Sequence, residues 1–270
     1  MCELLAMSSS RPARLTFSLE TLAAHGAAGG RNRDGWGAAF YQDKDVALFR
    51  EPRAAGDSPM VRFLESQGPS TTLAISHIRR ATQGAVSLSN TQPFARLLAG
   101  CMHVFAHNGN LRGIKDFEAL ALDRYRPLGT TDSEHAFCAL LERMHALWNS
   151  SSTIPSLDAR LSVIAGFASE LRKLGPANFL YADGDSLFAH GHRRLNPASG
   201  GVEPPGLVLR SQRCQDADES VHAHGVSVAP GFQDIVLVAS VPLTREGWRP
   251  LVEGEIVAIS AGRVVGGVTP

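Results

Sequence analysis

Short apolar runs rich in β-formers recur along the chain. They are "CELLAM", "WGAAFY", "DVALFR", "TLAISHIR", "MHVFAHNG", "NFLYADG", "SLFAH", "DIVLVASV" and "EIVAIS". Each is short and rich in branched or aromatic residues, which predicts strands. A period near four appears in two longer stretches. From Asp132 to Trp148, Ala136, Leu140, Met144 and Trp148 recur every fourth residue, and Phe137 and Leu141 broaden that stripe into a helix face. In "SLDARLSVIAGFASELRKLG", Ser156 is placed to cap a helix and Gly175 to end it. A weaker helix is expected at "SLETLAAHGA" near Ser18, and "SSSRPAR" interrupts the apolar run after Met7. The Gly- and Pro-rich stretch "NPASGGVEPPG", Asn196 to Gly206, separates strands rather than compositional halves, and no internal repeat is evident. The pattern predicts a single α+β domain with two sheets and flanking helices.

Composition narrows the function classes. At 270 residues the chain can bury a sizeable core, and 44% hydrophobic with 19% charged residues reads as a globular protein. Lys plus Arg and Asp plus Glu number 26 each, so no net field favours nucleic acid, and no apolar run is long enough to span a bilayer. Glu3 and the polar "SSSRPAR" leave no room for a signal-peptide apolar core, so a cytoplasmic location is expected. The cysteines, Cys2, Cys101, Cys138 and Cys214, form no CxxC pair, which argues against a disulfide framework and a structural zinc site. "HGH" at His190 and "HAH" at His222 lack matching ligands nearby and read as exposed loop histidines rather than metal ligands.

Cys2 changes the picture. Methionine ahead of a small residue is commonly removed, and removal would put a thiol and a free α-amine on one residue. That amine, with a pKa of about 7.7–8.0, can act as a base near neutrality. The plainer alternative is an apolar cysteine opening the first strand. Asn108 and Gly109 in "FAHNGNL" can donate an amide and a backbone N–H to a developing oxyanion, or can form a simple Asn-Gly hairpin turn. "SHIRRATQG" ends a strand with adjacent arginines, of which alternation turns one inward, where a guanidinium fork invites a carboxylate. Asp132 stands where an N-cap belongs, and the same carboxylate could receive an ammonium. Gly35 and Gly37 in "RNRDGWG" mark a loop built for close approach or a hairpin.

In their order, Met1-Cys2, "RNRDGWG", "SHIRRATQG", "NTQPF", "FAHNGNL" and "TTDSE", with "VPLTREGW" and "GEIVAI" near the C-terminus, the chain resembles the class-II glutamine amidotransferases. Their glutaminase domains belong to the N-terminal-nucleophile hydrolases, and the likeness is to stand-alone bacterial members. It covers essentially the whole chain, residues 2–270. The resemblance implies a four-layer αββα sandwich of two antiparallel sheets. It implies Cys2 as the nucleophile, Asn108 and Gly109 as the oxyanion hole, Arg79 holding a substrate α-carboxylate with Thr82 beside it, and Asp132 holding the α-ammonium. Arg31 falls where some relatives place an arginine near the nucleophile. It implies no cofactor and no metal. The substrate would be glutamine or a γ-glutamyl small molecule.

A glutaminase domain of about two hundred residues leaves little chain for an ammonia acceptor, and no P-loop or GxGxxG follows a strand. Three functions stay open at this point: a glutaminase delivering ammonia to a separate synthase, a γ-glutamyl hydrolase of thiol metabolism, and a non-catalytic binding domain on the same scaffold.

Overall fold

The structure is a computed structural model that describes residues 2–14, 34–81, 84–149, 153–196, 199–216, 221–223, 226–228 and 231–270. The main strands, in chain order, are β1 (Glu3–Arg14), β2 (Trp36–Gln42), β3 (Asp45–Glu51), β4 (Ser70–Ile78), β5 (Phe94–Leu98), β6 (Cys101–Gly109), β7 (Ala177–Ala182), β8 (Leu187–His190), β9 (Val208–Cys214), β10 (Gln233–Ala239), β11 (Arg249–Pro250), β12 (Ile256–Ser260) and β13 (Arg263–Val268). The helices are α1 (Pro59–Gln67), α2 (Asp132–Asn149) and α3 (Leu157–Leu174). One sheet has the order β11-β9-β10-β1-β4-β2-β3, the other β13-β12-β8-β7-β6-β5, and their strand pairs are antiparallel.

The period of two along each strand builds the layers. Leu4 and Ala6 of β1 face Val104 and Ala106 of β6 in the core between the sheets. Leu5 and Met7 face the opposite way, onto the core that Val61 and Leu64 of α1 help to fill. On the far sheet, Phe105, Phe179 and Phe188 pack under α2 and α3. The result is the four-layer αββα sandwich. The expected stripe of α2, from Ala136 to Trp148, is buried against the sheet. Ser156 caps α3, accepting from Ala159 N at 3.3 Å.

Two expectations need correction. β1 runs through the serines to Arg14 rather than stopping at Met7. Ser8 and Ser9 are buried, and their hydroxyls are used: Ser8 Oγ accepts from Gly262 N, and Ser9 Oγ donates to Arg11 O. The "HGH" histidines are not exposed: His190 ends β8 with its ring stacked on Phe179, and His192 is buried as well. The "HAH" side chains and the helix expected near Ser18 lie outside the described residues.

Burial of histidine has a consequence for stability. Desolvation holds His77, His103 and His190 each down to about 3. Their unfolded counterparts take up protons from about pH 6.5 downward, so below that pH the unfolded state binds more protons than the folded one. Stability therefore falls as pH drops toward the folded values, by about 1.4 kcal/mol per unit per histidine. A melting series should show Tm dropping steeply between about pH 6.5 and 5. A flat series would mean these rings protonate without opening the fold.

Candidate active site

Cys2 and Asn108 meet because both continue the face between the sheets. Asn108 shares that face of β6 with Val104 and Ala106, and Cys2 shares that of β1 with Leu4 and Ala6. Asn108 Nδ2 donates to Cys2 O at 2.5 Å and to Ser240 Oγ at 3.4 Å. Ser240 Oγ also accepts from Leu4 N at 2.9 Å, so one hydroxyl ties the Asn108 amide to the start of β1. The Cys2 thiol accepts from Arg80 N at 3.2 Å and donates to Arg80 O at 3.4 Å. Burial pushes this thiol above its ordinary pKa, partly offset by the Arg80 backbone hydrogen bond. In the chain as written the Cys2 nitrogen is in a peptide bond with Met1.

Asn108 and Gly109 are strand, not a hairpin turn. They pair in register with Asn178 and Ala177. Glycine is required at 109 for space: a Cβ there would collide with Pro176 O and would lie 2.6 Å from His107 Nε2. Gly109→Ala is expected to lower Tm by several degrees, since overpacking against backbone costs about 1–3 kcal/mol, and to displace the neighbouring Asn108. A variant melting like the parent would show that the backbone yields at no cost.

The two arginines of "SHIRR" divide their roles. Arg79 is buried, one step beyond the Glu3–Ile78 pair of β1 and β4, and Arg80 is half-buried. The Arg79 guanidinium donates to Ala85 O at 3.1 Å and Gly84 O at 3.2 Å. Its backbone is clamped by Gly35 O and Asp34 N, and Asp34 Oδ2 accepts from Ala81 N at 2.7 Å. The "DGWG" stretch thus holds the arginine segment in place. Gly37 lies in β2, under the Gln92–Pro93 backbone and the Arg50 stem.

Asp132 is not the cap of α2. Thr131 takes that place, its Oγ1 accepting from Glu134 N at 3.3 Å. Asp132 Oδ2 instead accepts from Leu111 N at 2.8 Å and Oδ1 from Ser133 N at 2.9 Å. Its carboxylate is therefore anchored to the segment that follows Asn108 and Gly109. Thr82, Gln83 and Arg31 lie outside the described residues.

A sequence profile of the family described as "Glutamine amidotransferases class-II" matches residues 1–270. The chain belongs to that family. It is 34% identical over 256 residues to "Putative glutamine amidotransferase YafJ" of Escherichia coli, covering 94% of this chain and 96% of that protein. The crystal structure of a "predicted glutamine amidotransferase" from Pseudomonas aeruginosa shares 30% identity at a TM-score of 0.69, covering 98% of this chain and 100% of that one. A glutamine phosphoribosylpyrophosphate amidotransferase from B. subtilis, at 15% identity and a TM-score of 0.55, shares the fold over 96% of this chain and 47% of its own.

In this member of the family, two polar residues of "NTQPF" tie the site together, although the motif alone assigned them no task. Asn90 Nδ2 donates to Ala85 O at 3.0 Å, and its Oδ1 accepts from Thr130 N at 2.8 Å. One buried amide thereby links the loop that grips Arg79 to the approach of Asp132. Gln92 pairs with both backbone groups of His107, at 2.6 and 3.2 Å, and so fixes β6 just before Asn108. Asn178 is the third such residue: its Nδ2 donates to Asn108 O at 3.0 Å. A polar amide inside an apolar strand, as in "NFLYA", is the signal that could have found it.

Among the described residues there is no group of His, Cys, Asp and Glu placed to hold a metal ion, and no helix is long and apolar enough to cross a membrane.

Proposed function

We propose that the chain is an amidohydrolase cleaving the side-chain amide of glutamine, or the γ-glutamyl bond of a small compound, through a thioester on Cys2. The observation that carries this reading is the contact of the Cys2 residue with the Asn108 amide, 2.5 Å from Nδ2 to the Cys2 carbonyl, beside the buried Arg79. Removal of Met1 would free the Cys2 amine. That amine takes the thiol proton, the sulfur attacks the acyl carbon, and the proton passes to the departing nitrogen as the C–N bond breaks. Water then hydrolyses the thioester and releases glutamate. A thiol held protonated by burial needs such an adjacent base.

Asn108 and Gly109 stabilise the tetrahedral oxyanion, each donor worth on the order of 3 kcal/mol. Arg79, together with Thr82, receives the α-carboxylate, and Asp132 receives the α-ammonium. Asp132 Oδ2, which accepts from Leu111 N, keeps a second lone pair for that purpose, while Oδ1 accepts from the Ser133 N–H and hydroxyl. Opposite charges at the two ends of the amino-acid head orient the acyl carbon, which makes the attack effectively intramolecular. The whole chain acts as one glutaminase unit, and its ammonia is released or passed to a separate synthase.

The test is a panel of γ-glutamyl amides and glutamine, run on protein with a mass-verified N-terminus, together with labelling by diazo-oxo-norleucine. We expect the label on Cys2 and amine or ammonia release from at least one panel member. A label on Cys101, Cys138 or Cys214, all of them buried, would overturn the assignment. Arg79→Ala is expected to raise KM for substrates bearing an α-carboxylate by roughly ten- to a hundred-fold, the worth of a charged hydrogen-bonded contact. Equal losses for substrates with and without that carboxylate would remove Arg79 from the role.

A further inference from the structure

We propose that a second cleft, behind the Asn108–Gly109 corner, binds a small molecule through a carboxylate or phosphate group, and that its occupancy acts on that corner. The cleft has a volume of about 610 Å³, within the range of metabolite sites, and Arg172, Gly175, Pro176, His192, Arg193 and Glu253 line it.

Arg172 and Arg193 share it with Glu253 and with Pro270, the last residue, but these charges do not all pair. Arg193 Nε meets Glu253 Oε1 at 2.7 Å, so that pair is neutral. Arg172 meets no carboxylate of the described residues within ion-pair distance. Its partner is an imidazole: Arg172 Nη1 lies 3.1 Å from His190 Nε2. His190 Nδ1 sits 2.7 Å from Ala177 O and must carry the proton there, which leaves Nε2 as a neutral acceptor. Arg96, Arg160 and Arg194, by contrast, each meet a carboxylate. His192 is half satisfied: its Nε2 meets Glu253 Oε1 at 3.4 Å, and its buried Nδ1 has no hydrogen-bond partner among the described residues. The cleft lies at the C-terminal end of α3, where carbonyls would repel an anion. Leu174 O is already taken by Arg112 N, and Pro176 O by Asn110 N. A guanidinium fork without a carboxylate, in a cleft of this size, suits a bidentate oxyanion.

Two connections run from this cleft to the corner. Asn178 accepts from His192 N at 2.7 Å and donates both to Arg193 O at 2.7 Å and to Asn108 O at 3.0 Å. Arg172 reaches Ala177 through His190, and Ala177 pairs with Gly109. A ligand that draws Arg172 or Arg193 toward itself pulls on residues that hold Asn108 and Gly109. The binding claim stands apart from the glutaminase reading, and the coupling claim rests on it.

The experiment uses the full chain and its Cys2→Ala variant, with inorganic phosphate and succinate as separate probes. Calorimetry and thermal melting are expected to show saturable binding of at least one probe to both proteins. The probe that saturates at the lower concentration identifies the preferred group. Arg172→Gln should weaken that binding more than tenfold, Arg172→Lys should keep saturable binding, and the exposed Arg53→Gln should bind like the parent. No saturable binding of either probe, or equal binding to Arg172→Gln, overturns the site. Saturating probe should also change the rate at which diazo-oxo-norleucine labels Cys2 by at least twofold. An unchanged rate with the probe bound overturns the coupling alone, whereas absence of any Cys2 labelling fails the glutaminase reading and leaves the binding result standing.

Discussion

Cys2→Ala is expected to abolish turnover and leave the protein folded. Cys2 precedes β1, is half-buried, and among the described residues its sulfur makes hydrogen bonds only to the Arg80 backbone. Its loss removes little from the core, so Tm should stay within a few degrees of the parent. Turnover should fall by about 10⁴-fold or more, since no other described thiol stands at the Asn108 corner, and the Ser240 hydroxyl there is held by Leu4 N and the Asn108 amide. Protein that retains Met1 should be equally inactive, because an amide nitrogen is not a base. Glutamate release by mass-verified samples measures both. A Cys2→Ala protein that hydrolyses at the parent rate ends the proposed mechanism.

Asn108→Ala should lower kcat by about 10²- to 10³-fold, equivalent to about 2.7–4 kcal/mol, with KM nearly unchanged. The reasoning is that the oxyanion develops only in the transition state, so its donor contributes nothing to ground-state binding. Asn108 also donates to Cys2 O, and truncation could shift the nucleophile. Asn108→Asp separates the two effects: it keeps the size but replaces the donating amide by an acceptor. Both variants should lose kcat. A raised KM at constant kcat would make Asn108 a ground-state contact instead.

Much of the fold was legible wherever a residue's surroundings follow from its neighbours in the chain. The stripe from Ala136 to Trp148 has a strong period, and the runs of β2, β4, β6, β7, β10 and β12 are almost continuously apolar because both faces of those strands meet packed layers. Apart from β9, an inner strand whose "RSQR" stretch is polar, the elements that escaped notice are peripheral. β5 and β13 are the edges of their sheet, and α1 buries only Val61 and Leu64, so their patterns are diluted by solvent-facing residues. The serine end of β1 read as a break because hydroxyls buried with partners look, in one dimension, like loop residues.

By itself the sequence determined which residues carry reactive groups, which face of a strand or helix each takes, and the motif order by which the chain resembles its family. Only the tertiary structure decided which of those faces meet. Cys2 and Asn108 are 106 residues apart, and they touch because β1 and β6 lie in facing sheets. The same packing made Thr131 rather than Asp132 the helix cap, drew Asp132 to Leu111, and gave Asn90, Gln92 and Asn178 their linking roles. The physical reason is that periodicity is a local property set by side-chain direction, while strand pairing and sheet stacking are settled by contacts between distant segments, whose energies no single segment contains.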